Sequence, residues 1–179
     1  MTTPAERKLH IGGLVRTQGW EVLNATPGDH VDHLGNANDL SRFPDNTFSS
    51  IYASHILEHF DYRDELDATL REWHRVLDGG GKLYISVPDM DTLCGLFLDK
   101  QLNARERFRV MRMMFGGHLD EYDYHVVGLN QEFLDKYLLS NGFVNPRRVR
   151  DFGLFDDASS LEIHGVAISL NVIAEKPAT

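Results

Sequence analysis

Residues 39–60, DLSRFPDNTFSSIYASHILEHF, decide the reading of this chain because three local signals follow one another there. A Pro44-Asp45-Asn46 turn closes a polar loop, and residues 48–53, with Ile51 and Tyr52 near their centre, read as a short buried strand. Ser54 then stands where an N-cap belongs, with Leu57 and Phe60 behind it at helical spacing. Loop, strand and capped helix make half of a parallel α/β unit. In such sheets ligands bind outside the carboxyl ends of the strands, which puts Ala53, Ser54 and His55 at a crevice rather than in the packing interior.

Upstream, Leu9 and Ile11 alternate with Lys8 and His10 and run into Gly12-Gly13, the pattern of a first strand ending in a tight turn. Residues 20–23 read as a second strand. The gap between the two is too short for an ordinary parallel crossover, so the first crossover is expected to be shortened to about one helical turn. A brief strand is expected within 31–34. Downstream, Leu66, Leu70, Trp73 and Leu77 recur at helical spacing and predict a helix over 64–77, ended by Gly79-Gly80-Gly81. A strand over 82–87 is stopped by Pro88. Helices are expected over 92–98, 104–115 and 131–139, and two final strands, antiparallel to each other, over 143–152 and 166–173. Together these elements predict an α/β fold with a mostly parallel sheet and an antiparallel last strand.

With 179 residues, the chain reads as one domain, 1–179, long enough to bury a normal core. A net charge of -9 argues against a nucleic-acid backbone as partner, because phosphate binding needs a concentrated basic surface; a small molecule suits it better. The lone Cys94, among Leu93, Leu96 and Phe97, reads as a core thiol. The opening MTTPAERK lacks an apolar signal core and no run reaches membrane-spanning length, so no membrane partner and a cytoplasmic location are expected. Oligomeric state is left open by the sequence.

Several residues carry candidate chemistry. Gly12 and Gly13 either let a ligand approach the backbone or simply make a tight turn. His55, Glu58 and His59 share one face of the expected helix. Three such residues without paired cysteines are more often capping or hydrogen-bonded groups, so no metal is expected. Residues 116–128, GGHLDEYDYHVVG, are too polar for a core element. They form either an ordered surface loop or a substrate-covering loop in which Asp123, Tyr124 and His125 position an acceptor or take its proton. Arg105, Arg107, Arg109 and Arg112, and Arg147, Arg148 and Arg150, invite an anionic-substrate reading but read better as a solvated helix face and a charged strand edge.

The run 39–60, with KLHIGG at 8–13, HRVLDGGGKLYISVPD at 74–89 and ISLNVIAEK at 168–176, resembles the class I S-adenosylmethionine-dependent methyltransferases, in their small-molecule group. The resemblance implies the Rossmann-like methyltransferase fold, S-adenosylmethionine as cofactor and a small or carbohydrate-like acceptor. It places cofactor contacts at Gly12, Gly13, Asn24, Asn36, Ala37, Ser54 and His55, and catalytic contacts at His125 (the general base), Tyr124 and His55. The chain departs from the family pattern at two points. Asn24 stands where an acidic residue usually holds the ribose hydroxyls, and Asn36 stands where an aspartate often meets the adenine. Exchanging a charge-assisted bond for a neutral one weakens binding by ~1 kcal/mol or more. Both asparagines also suit turns. A non-catalytic domain working through protein contacts is therefore the alternative, and a nicotinamide oxidoreductase is a distant third for want of a G-x-G-x-x-G turn.

Overall fold

The computed structural model describes residues 6–178, so most of the opening stretch read above for targeting lies outside the described residues. Seven strands form one sheet: β1 (Lys8–Ile11), β2 (Glu21–Asn24), β3 (His33–Leu34), β4 (Phe48–Ser54), β5 (Leu77–Pro88), β6 (Val144–Val149) and β9 (Ser169–Glu175). Two further strands, β7 (Glu162–Ile163) and β8 (Val166–Ala167), make a small separate hairpin. Across the main sheet the order is β3-β2-β1-β4-β5-β9-β6. The pairs from β3 to β5 are parallel, and β9 runs antiparallel to both neighbours. The order reverses between β1 and β4, which places the topological switch point, and hence the crevice, beyond Ile11 and Ala53.

Alternation along the strands sends Leu9, Ile11, Ile51, Ala53, Leu83, Ile85, Leu170 and Val172 to one face, all essentially sealed from solvent. Against them pack α1 (Glu65–Val76), through Leu66, Leu70 and Trp73, and α4 (Gln131–Ser140), through Leu134 and Leu138. The Trp73 indole N–H donates to Ala37 O at 2.8 Å, tying this core to the loop after β3. A second cluster joins α2 (Met90–Leu98) and α3 (Ala104–Phe115) to the hairpin through Leu93, Leu102, Val110 and Ile163.

The opposite face is built differently. Residues 12–20 and 25–32 contain no helix at all, so the first crossover is shorter than the single turn expected. The face they leave bare, carrying His10, Tyr52, Tyr84 and Asn171, is covered by the irregular segment 150–168. Phe155 sits 4.1 Å from His10, 4.5 Å from Tyr52 and 5.2 Å from Trp20, while Phe152 meets Tyr52 and Tyr84 edge-on. An irregular segment brings unpaired backbone carbonyls into the interior, and these need donors. The Asn171 amide donates to Arg150 O and Ser159 O, Ser169 Oγ to Ala158 O, and Tyr52 Oη to Asp157 Oδ2. This explains why inner strand positions on this face are polar.

Three local expectations are corrected. Ser54 caps no helix: β4 runs through it, His55 turns in the left-handed region at φ 54°, and only a 3-10 turn, Leu57–His59, follows. The glycine run does not end α1, which stops at Val76. It forms instead a bulge inside β5, where pairing slips between Phe48 and Ser50. Cys94 is exposed, because α2 turns Leu93 and Leu96 inward and leaves Cys94 and Gly95 between them outside.

Phe155→Ala is expected to destabilise the fold by ~2 kcal/mol, below the roughly 3–5 of a fully buried phenylalanine because this ring is only half-buried; equilibrium urea denaturation measures it. On the same face, burial pulls His10 from its ordinary value of 6.5 down to about 4, against the opposing pull of Asp157. Its neutral form therefore contributes stability that is complete above pH ~6.5 and is lost as pH falls through about 4. The urea midpoint is expected to fall less steeply between pH 7 and pH 4.5 in His10→Gln than in the unaltered chain.

Candidate active site

A cavity of about 390 Å3 opens at the carboxyl ends of β1, β2 and β3, within the roughly 300–1,000 Å3 typical of small-molecule sites. Its floor is Ile11, Gly12, Leu23 and Asn24. The loop after β3 supplies Asn36 and Ala37, the turn after β4 supplies Ile56 and His59, and residues 116–128 close the far side with Tyr122, Tyr124 and Val126.

Gly12 is required here for two reasons. Its φ is +77°, and a Cβ on it would overlap Ile56 Cδ1 on the cavity wall. Its N–H donates to Leu23 O at 2.8 Å, which fixes the turn against β2. Gly13 serves the other side of the sheet: a Cβ there would meet the His10 ring at 2.9–3.0 Å and Val22 at 3.1 Å. Gly12 thus shapes the cavity, and Gly13 the packing behind it. Asn24 is part of the scaffold as well as of the lining. Its Nδ2 donates to Gly13 O at 3.1 Å and its Oδ1 accepts from Thr26 N at 2.9 Å. The first of these bonds needs an amide, so a carboxylate at 24 would face a carbonyl oxygen without a proton between them.

Of the residues expected at the site, Gly12, Asn24, Asn36, Ala37 and Tyr124 line the cavity. Gly13, Ser54, His55 and His125 do not. Ser54 Oγ is buried without a partner. His55 turns away, with Nε2 2.9 Å from Ser169 Oγ. His125 points inward from its loop, with Nδ1 3.0 Å from Met113 O. Burial, helped by neighbouring imidazoles, pulls both His55 and His125 down to about 4, and a group that weak at taking a proton makes a poor general base at neutral pH. The imidazole on the cavity wall is His59, which the sequence reading had given only a capping or hydrogen-bonding role. Asp123, read as a possible acceptor contact, is used inside its own loop: its carboxylate accepts from Gly117 N and Leu119 N. The loop is anchored to the turn after β4 by Val126 N to Glu58 O at 2.9 Å and by His59 Nδ1 to Tyr124 O at 3.0 Å.

Between these anchors lies a residue that periodicity hid. Glu58 is 1% exposed, neither carboxylate oxygen has a hydrogen-bond partner among the described residues, and burial pushes its carboxyl up to about 8. A helical reading of 54–60 gave no reason to single it out as buried.

Residues 21–85, from β2 into β5, match a family model described as a methyltransferase domain. Over that stretch, about a third of its length, the chain is similar to a methyltransferase domain. Solved structures agree on the fold. A possible exported protein from Bordetella parapertussis superposes with a TM-score of 0.62 at 14% identity, over 97% of this chain and 64% of that one. The CurJ carbon methyltransferase gives 0.54 at 17% identity, over 99% of this chain and 50% of that one. An S-adenosylmethionine-dependent methyltransferase from Archaeoglobus fulgidus gives 0.60 at 15% identity, over 97% and 87%. The chain thus spans less than two thirds of the length of the first two. No curated protein sequence matches it. No helix among the described residues is long and apolar enough to cross a membrane.

Gly12→Ala is expected to narrow the strand-end cavity by displacing Ile56 and to cost ~1–3 kcal/mol of stability, as a side chain forced into the left-handed region does. Thermal unfolding measures the loss.

Proposed function

We propose that this chain binds S-adenosylmethionine in the strand-end cavity and transfers its methyl group to a small-molecule or carbohydrate-like acceptor, in the cytoplasm. The observation that carries the reading is the cavity itself: Gly12, Asn24, Asn36 and Ala37, from three separate strand ends, line one space.

The lining fits the cofactor's charge. Glu65, Asp120 and Glu121 border the cavity, and no lysine or arginine does among the described residues. Such a site favours a sulfonium and an ammonium group and disfavours phosphates. The same argument tells against a dinucleotide, whose diphosphate also seeks a helix N-terminus after the glycine turn; residues 12–20 offer none.

When bound, S-adenosylmethionine supplies a methyl group already activated by the sulfonium, so the protein needs no nucleophile of its own. The chain's task is alignment and exclusion of water. Gly12 would admit the ligand close to the backbone of β1, and Asn24 and Asn36 with Ala37 are the residues that would hold its ribose and adenine. Residues 120–126 contribute to the far side of the cavity, where Tyr124 and His59 would be available to contact an acceptor. The Asn24 amide also donates to Gly13 O, which ties the floor of the site to the turn after β1.

Isothermal calorimetry of the full chain with S-adenosylmethionine and with its demethylated product is expected to give micromolar dissociation constants, with binding weakened at least tenfold in Gly12→Ala. Millimolar or absent binding by the unaltered chain would favour instead a methyltransferase-like domain acting through protein contacts.

A further inference from the structure

We propose that Glu58 works as a neutral carboxylic acid that holds the loop 116–128 against the turn after β4, so that docking of this cavity-lining loop takes up a proton. The proposal concerns the loop and holds whatever molecule fills the cavity.

Two successive loop amides end on the Glu58 peptide oxygen: Val126 N–H donates to it at 2.9 Å and Val127 N–H at 3.4 Å. The side chain of the same residue is sealed from solvent. Around its Oε1, His55 Nδ1 stands 3.4 Å away and His125 Nε2 3.9 Å away, and His59 completes the cluster. The protons of the two nearest rings are already committed. His125 Nδ1 faces Met113 O, and His55 Nε2 faces Ser169 Oγ, whose own proton goes to Ala158 O. A carbonyl cannot donate, so each ring proton lies on the nitrogen turned away from Glu58, and the nitrogen turned toward it is a bare lone pair.

An ionised Glu58 would add a charged acceptor to these two, with no hydrogen-bond donor on either oxygen among the described residues. One proton on the carboxyl turns the same group into a donor for those lone pairs. Burial accordingly pushes the Glu58 carboxyl from its ordinary 4.5 up to about 8, against a weaker pull from its own peptide N–H, which does not reach hydrogen-bonding geometry. The titratable groups around it are His55 and His59 on the turn and His125 on the loop. Behind them, Asp123 of the loop acts on His125 and His59, and Asp157 of the covering segment acts on His55.

When the loop lifts, water reaches the carboxyl and its ordinary value returns. The contribution of Glu58 to docking is therefore complete below pH 4.5 and is lost as pH rises through about 8. His55 and His125, pulled from 6.5 down to about 4, act in the opposite sense, and only below 6.5. Between pH 6.5 and pH 8 the slope is set by Glu58.

Amide hydrogen exchange of the full chain, corrected for the intrinsic rate at each pH, reads the docking directly. Protection of Val126 and Val127 is expected to fall about tenfold from pH 6.5 to pH 8. In Glu58→Gln, whose amide still donates but does not ionise, it should be the same at both pH values and close to that of the unaltered chain at pH 6.5. Carbon-13 NMR of the side-chain carboxyls is expected to show one midpoint near 8, absent from Glu58→Gln. Protection that does not change with pH, an equal fall in Glu58→Gln, or no carboxyl titrating above pH ~6 in the unaltered chain would each overturn the proposal. Binding of S-adenosylmethionine enters none of these readouts.

Discussion

Everything in this fold follows from how little chain separates the first three strands. With no helix in residues 12–20 or 25–32, one face of a parallel sheet is left without its usual cover, and an uncovered parallel sheet is unstable in water because both faces are apolar or half-apolar. The chain meets that constraint from far along the sequence. Residues 150–168 return over His10, Tyr52 and Tyr84 with Phe152 and Phe155 as the packing groups. Because the cover is irregular rather than helical, the sheet beneath it must supply hydrogen-bond donors, and Asn171, Ser169 and Tyr52 do so.

The same economy shapes the cavity. A shortened first connection turns at Gly12 and goes directly to β2, so the strand ends stay open, and the wall opposite them comes from the loop 116–128. That loop has little apolar anchorage of its own, with Leu119, Tyr122 and Tyr124 all exposed. It is held by Asp123 from within and by the backbone of Glu58 from below. Placement of the loop, cavity shape and the buried Glu58 cluster are therefore one structural unit: a change in the turn after β4 is felt on both sides of the pocket.

Legibility in the sequence followed the physics of each signal. Long periodic segments were readable: the spacing of Leu66, Leu70 and Trp73 predicts α1 to within a residue or two, and the 104–115 pattern matches α3 at both ends. The strand ends at Gly12, Asn24 and Asn36 were readable because turn residues mark them. Short apolar runs were not. Residues 54–60 carry a helical spacing too brief to nucleate a helix, and the pairing of Ser54 with Ser86 extends the strand instead. Likewise the glycines at 79–81 look like a helix stop and serve as a bulge, a distinction set by the neighbouring strand.

By itself, the sequence determined the longer strands and helices in their order, the sites of the first tight turns and the acidic character of the chain, because propensity, periodicity and charge are local properties. Tertiary structure alone decided which side chains share a space. It carried His125 from a distant loop to Glu58, turned Gly13 to the back of the sheet, engaged Asn24 with Gly13, and laid Phe155 on His10. Those contacts depend on where the backbone runs after it has folded, and no spacing along the chain encodes a distance across it.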